Sequence, residues 1–231
     1  PKDREIKENK HKDSGKIETE LSEEETRKLL TEVNKAYNTE INDIMLAALG
    51  MALEKWGGMD KAVVELEGHG REAIIEGVDL ARTVGWFTSL YPVLLEMKGK
   101  RDISTVIKDT KAMLRGVPHK GIGYGIIKYL SRHRDKMSET IGINPEICFN
   151  YLGQFDEDIE TDLFRVSRES TGHSVSPGTE RTYTISIVGM VWQKVLKISA
   201  DYSRNQYEKR TVAGLLEALR EAPGRGVSRE V

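Results

Sequence analysis

The chain has 231 residues, 38% of them hydrophobic, enough to bury one real core, so a single compact α/β unit is expected. Its 35 lysines and arginines stand against 37 aspartates and glutamates for a net charge of -2, which gives no global field to draw nucleic acid or an anionic membrane. No apolar stretch approaches the ~18 residues that span a bilayer, the polar start carries no signal-peptide hydrophobic region, and Cys148 has no mate for an internal disulfide; a cytosolic protein with Cys148 as a small buried hydrophobe is expected.

Pro1 to Lys16 is almost entirely charged and polar, a composition that cannot offset the entropy of ordering, so 1–16 reads as a linker or frayed terminus and 17–222 as the folded unit. Ser22 and Glu25 form a capping box, after which Leu29, Leu30, Val33 and Tyr37 recur at helical spacing. Asn42 or Asp43 is expected to cap a second helix, Ile44 to Trp56, which is apolar almost all round and ends at Gly57-Gly58. Ala62 to Glu67 has strand chemistry and stops at Gly68-His69-Gly70, which delivers Glu67 to a loop mouth. Leu90 to Met97 makes a further strand with Pro92 near its start, and Ile103, Val106, Ile107, Thr110, Met113 and Leu114 mark a helix stopped by Gly116-Val117-Pro118. After a glycine-punctuated turn and a short helix around Ile126 to Leu130, Glu146 to Leu152 reads as a strand ending at Gly153.

Gln154 to Arg181 is polar and irregular, and so long a loop in a compact domain is expected to be functional or to reach a partner. Tyr183, Ile185 and Ile187 then alternate with polar residues, with Val195 to Tyr202 as the hairpin mate. The last helix uses Tyr207, Val212, Leu215, Leu216 and Leu219 and ends before Pro223-Gly224, leaving 223–231 as a disordered tail.

The stretch Glu65-Leu66-Glu67-Gly68-His69-Gly70-Arg71-Glu72 combines a carboxylate at a strand end, a glycine hinge and an arginine, which is what a positioned acid/base needs. The competing reading is a solvated turn, with Arg71 pairing Glu72 or Glu67 for little net stability. His69, two residues beyond Glu67, would share its face on an extended strand, so a carboxylate–imidazole pair is open. The five histidines are scattered and only one cysteine exists, which disfavours zinc. Gly121-Ile122-Gly123-Tyr124-Gly125 superficially resembles a dinucleotide-binding loop, but its spacing is wrong and no clear strand precedes it. At the end of its strand, Asn150-Tyr151 presents an amide and a phenol able to donate to a developing oxyanion; Tyr151 reads equally as a core aromatic.

Four segments in order resemble epimerization domains of non-ribosomal peptide synthetases: Glu67-Gly68-His69-Gly70-Arg71-Glu72, Thr83 through Val93, Lys120-Gly121-Ile122-Gly123-Tyr124-Gly125, and Phe149-Asn150-Tyr151-Leu152-Gly153-Gln154-Phe155. Tyr37 to Ile44 is a further match, so the similarity covers Glu20 to Leu219. The related condensation domains share the fold but usually lack the Glu-Gly-His-Gly-Arg-Glu stretch.

The resemblance implies one half of a chloramphenicol acetyltransferase-like α/β fold, a mixed β-sheet packed by helices, and this sequence is similar to the second half only. The family's paired histidine motif belongs to the first half, and no two histidines here are adjacent. By the resemblance, Glu67 and Tyr151 are the catalytic candidates, Asn150, His69 and Trp86 line the substrate site, and Arg71 sets loop geometry. The 154–181 segment would cross to the other half. No cofactor or metal is implied on the chain itself; the substrate would be an aminoacyl or peptidyl thioester on the phosphopantetheine of a peptidyl carrier protein, the activity that of an isomerase in antibiotic biosynthesis. Partners would be that carrier and the missing N-terminal half, with self-association of the uncovered face expected. A condensation-domain half and a non-catalytic carrier-docking module are the alternatives.

Overall fold

The structure is a computed structural model and describes residues 1–97, 99, 102–131, 142–155, 167, 169–172 and 174–227. In chain order the main elements are β1 (Ser14–Glu20), α1 (Glu23–Lys28), α2 (Asn34–Tyr37), α3 (Ile41–Gly57), β2 (Lys61–Gly68), β3 (Ser89–Glu96), α4 (Ile103–Gly116), α5 (Ile122–Gly125), β4 (Ile147–Gln154), β5 (Ile185–Trp192), β6 (Val195–Ser203) and α6 (Lys209–Val227). The strands form one six-stranded sheet in the order β1-β6-β5-β4-β2-β3. Pairing is parallel for β2 with β4 and β4 with β5, and antiparallel elsewhere. This is the mixed, helix-packed α/β sheet expected.

Strand alternation sorts the sheet into two faces. Val64, Leu66, Phe149, Ile185, Ile187, Leu196 and Ile198 face α3 and α6 and join their apolar side chains in a single buried cluster. α3 is the centre of that layer: Ile44 through Gly50 are all buried, so the all-round apolar run has a physical cause. At about 1.5–3 kcal/mol per large apolar side chain, this helix and the strands beneath it supply most of the driving force. Gly58, at φ +64°, ends α3 as expected. The cap differs from expectation: the helix starts one turn earlier, with Glu40 at the cap position and its N–H donating to Asp43 Oδ2 at 2.8 Å. The carboxylate of Asp43, fully buried, also takes both ends of the Arg115 guanidinium at 2.8 Å, which fixes the C-terminus of α4 against the N-terminus of α3.

Both expected chain ends need correction. Residues 14–16 are not linker but the start of β1, which pairs with β6 from Ser14 opposite Ser203 to Glu20 opposite Lys197. Its alternation is concealed by charged outward residues, Lys16, Glu18 and Glu20, as suits a sheet edge. The preceding residues lie along the fold, where Arg4 N–H donates to Gln206 O and His11 N–H to Thr179 O. At the other end α6 runs past Ala222 through Pro223 to Val227, so 223–227 are helical; 228–231 lie outside the described residues, as does much of the 154–181 segment. No described helix is long and apolar enough to cross a membrane.

Because β2 and β4 run parallel, their C-terminal ends open on the same side of the sheet. Pro92 fits because β3 is an edge strand, where a missing N–H breaks no inner ladder.

Candidate active site

A cleft of about 730 Å³ lies at that end, lined by Glu67, His69, Glu72, Trp86, Tyr91, Arg115, His119, Lys120, Asn150 and Tyr151 among others. Two glycines let its walls close in. Gly70 has φ +65°, and a Cβ there would sit 1.6 Å from the Phe87 carbonyl oxygen, so only glycine lets the segment after β2 touch the segment before β3. Gly121 has φ +79°, and a Cβ would fall 2.1 Å from Tyr91 Cγ. Gly121 is therefore a packing device against β3, whereas a Cβ at Gly123 or Gly125 would meet nothing within 4 Å.

Arg71 secures the long loop between β2 and β3. Its guanidinium donates to Leu80 O and to Gly85 O and lies 4.3 Å from the Phe87 ring centroid. It makes no ion pair with Glu67 or Glu72 among the described contacts and acts on loop geometry.

Glu67, the penultimate residue of β2, is open to solvent at the cleft surface. Asn150 Nδ2 donates to its Oε2 at 2.5 Å, which places the two on one sheet face and orients the carboxyl. Partial loss of hydration pushes the Glu67 pKa up, and the charge of Glu65 adds to the rise. A glutamate so shifted moves toward the range in which it both takes and returns protons.

Tyr151 follows Asn150 on β4 and so points to the opposite face, where it packs against the apolar cluster. Both faces border the cleft because it lies across the sheet end. The hydroxyl of Tyr151 is buried with no hydrogen-bond partner among the described residues, and burial pushes its pKa up to about 12. It is thus a neutral phenol able to donate a hydrogen bond.

His69 is not paired with Glu67. Its Nδ1 accepts from Arg71 N–H at 3.0 Å and its Nε2 lies 3.0 Å from Glu72 Oε1, so the imidazole is held by its own loop. The strand ends at Gly68, and Gly70, at φ +65°, turns the backbone away from the geometry that would have kept His69 on the Glu67 face. Trp86 stands at the rim, 89% exposed, beside a fully exposed Val84.

Several features in and beside the cleft escaped sequence reasoning. Glu72 sits between His69 and Lys120, whose Nζ is 3.8 Å away. Glu65 is 7% exposed and accepts a hydrogen bond from the Tyr183 hydroxyl. The period of two placed Glu65 on the Glu67 face and was a usable signal; Tyr183, remote in sequence, had none.

The cleft can be set against known proteins. A condensation-domain family model matches residues 1–222. Gramicidin S synthase 1 of Brevibacillus brevis is 47% identical over 221 residues, covering 92% of this chain and 20% of that protein. Tyrocidine synthase 1 of Brevibacillus parabrevis is 42% identical over 226 residues, covering 94% of this chain and 21% of that protein. Among solved structures, the epimerization domain from the third module of tyrocidine synthetase B matches with a TM-score of 0.88 and 40% identity over 96% of this chain and 50% of that one. The X-domain from teicoplanin biosynthesis, at 16% identity and a TM-score of 0.72, shares the fold alone. This chain thus spans half of that epimerization-domain structure and about a fifth of each synthase. The resemblance to epimerization domains drawn from the ordered motifs holds over nearly the whole length, and the chain belongs to the condensation-domain family.

Proposed function

We propose that this chain forms one half of an epimerization domain of a non-ribosomal peptide synthetase, inverting Cα of an aminoacyl or peptidyl residue held as a thioester on a carrier protein's phosphopantetheine. The observation that carries the reading is Glu67: a carboxyl with a raised pKa, oriented by Asn150 at the mouth of a cleft large enough for a tethered residue. Its place in the Glu67-Gly68-His69-Gly70-Arg71-Glu72 motif and the 40% identity to an epimerization domain support the same assignment.

In this reading the Cα–H bond breaks as the proton passes to the Glu67 carboxylate. The electron pair delocalises into the thioester carbonyl as an enolate, and a proton returned to the opposite face completes inversion. The Tyr151 hydroxyl, without a partner in its buried site among the described residues, is suited to donate to the enolate oxygen. His69 and Trp86 shape the approach from the rim. The group that serves the second face comes from the first half of the domain, so this half alone is inactive as an epimerase. In its absence the exposed Val84 and Trp86 favour self-association.

The test is chiral analysis of the amino acid released from a carrier-bound substrate after incubation with this chain, with and without a matching first half. Racemisation only in the mixture supports the reading. A mixture that forms peptide bonds with retained chirality favours a condensation domain, and carrier binding with neither reaction favours a docking module.

A further inference from the structure

Glu65 is a buried ionisable group that the proposed mechanism does not use. Glu65 lies two residues before Glu67 on β2, hence on the same sheet face and about 7 Å along it. It is 7% exposed, stands opposite Cys148 in the parallel register, and accepts a hydrogen bond from Tyr183 in the segment leading into β5. A carboxylate in such a place needs a reason, since burying an ionisable group costs stability that an apolar residue would not. A simple strut between β2 and β5 could be built from apolar side chains.

We infer that Glu65 is a positioning residue for Glu67: held by the Tyr183 hydroxyl two residues along the same strand face, its buried carboxyl group sets the electrostatic surroundings of the acid/base. The inference rests on the reading of Glu67 as that acid/base. The groups that face the pair bear on the sign. Cys148 on β4 is held as the thiol by burial, its pKa pushed up to about 12, so it brings no charge. Burial and the hydrogen bond to Glu65 raise the Tyr183 pKa well above the ordinary phenol range, so Tyr183 remains a donor. Pro92, opposite Glu65 on β3, carries no titratable group. Lys128, in the short helical segment after α5, is a cation that senses Glu65, and its Nζ lies over the Tyr124 and Tyr129 rings at 5.4 and 5.5 Å. Two carboxylates on one face, with that cation held over aromatic rings, leave repulsion as the coupling between them, and the Glu65 charge does contribute to the upward shift at Glu67.

The experiment is a carbon NMR titration of the side-chain carboxyls in this chain, with the Glu67 signal assigned by its loss in Glu67→Gln. In Glu65→Gln the amide oxygen still accepts from Tyr183 while the charge is gone, and the Glu67 midpoint must move to lower pH. Glu65→Leu combined with Tyr183→Phe removes the charge without stranding a donor, so it covers the case in which the single variant folds poorly; it must move the midpoint the same way. An unchanged midpoint in a folded variant overturns the inference whether or not the chain is part of an epimerase. With a matching first half present, the limb of the rate–pH profile owed to Glu67 must move to lower pH in Glu65→Gln. A lower rate with an unmoved profile would mark Glu65 as structural only and likewise overturn it.

Discussion

Asn150 on β4 donates to Glu67 on β2 across the parallel step between the two strands, so the only described side chain bonded to the acid/base candidate comes from a different matched motif. The bond fixes the carboxyl in the direction of the cleft. Asn150→Ala is predicted to cut carrier-bound α-proton exchange in the reconstituted domain by about tenfold to a hundredfold through lost orientation. Its unfolding free energy should fall by about 1 kcal/mol or less, since the bond is close to solvent. Exchange kinetics alongside urea unfolding separate the two effects.

Tyr151→Phe removes a buried hydroxyl that has no partner among the described residues. Stability is expected to stay level or rise by up to about 1 kcal/mol. Exchange in the reconstituted domain is expected to fall by roughly a hundredfold if that hydroxyl serves the enolate. A clear loss of stability in urea would show that the hydroxyl is bonded in the free chain.

The raised pKa of Glu67 makes its ionisation oppose folding. The folded form holds the proton more tightly than the unfolded form, whose value is near 4.5. The group's contribution is therefore fully present below that value and is lost as pH rises through the folded pKa. Glu67→Gln should raise Tm at neutral pH, with the gain vanishing once both forms of wild-type Glu67 are protonated. Thermal unfolding of the two proteins at matched pH values checks the sign.

Gly70→Ala puts a methyl group into the Phe87 carbonyl at a left-handed φ. A cost of about 1–3 kcal/mol is predicted, together with displacement of the loop that carries His69 and Arg71. Phe87, under the Arg71 guanidinium, should change its NMR environment in the same variant.

Most of the architecture was legible because it is written in local pattern. The α3 run, the β2 strand into Gly68, the β5–β6 hairpin and the Ser22–Glu25 box each carry their signal within a few residues. β1 was hidden because a solvated edge strand has almost no apolar alternation and owes its existence to β6, far along the chain. The start of α3 was missed because Glu40 is an unusual cap that works through Asp43. At the site, Glu67 and Asn150 were legible as strand-end polar residues, and their meeting needed the parallel pairing of β2 with β4. The pairing of His69 with Glu72 turns on loop backbone after β2, where Gly70 at a left-handed φ is free of any strand rule. Tyr183 could be joined to Glu65 only once the sheet was folded.

The central claim is most directly tested by α-deuterium washout from an aminoacyl carrier protein, measured for this chain alone, for this chain with a matching first half, and for that mixture carrying Glu67→Gln. Washout is predicted in the wild-type mixture only, reduced at least about a hundredfold by Glu67→Gln. Undiminished washout in the Glu67→Gln mixture, or none in the wild-type mixture with carrier binding intact, would contradict the assignment of Glu67 as the acid/base of an epimerase.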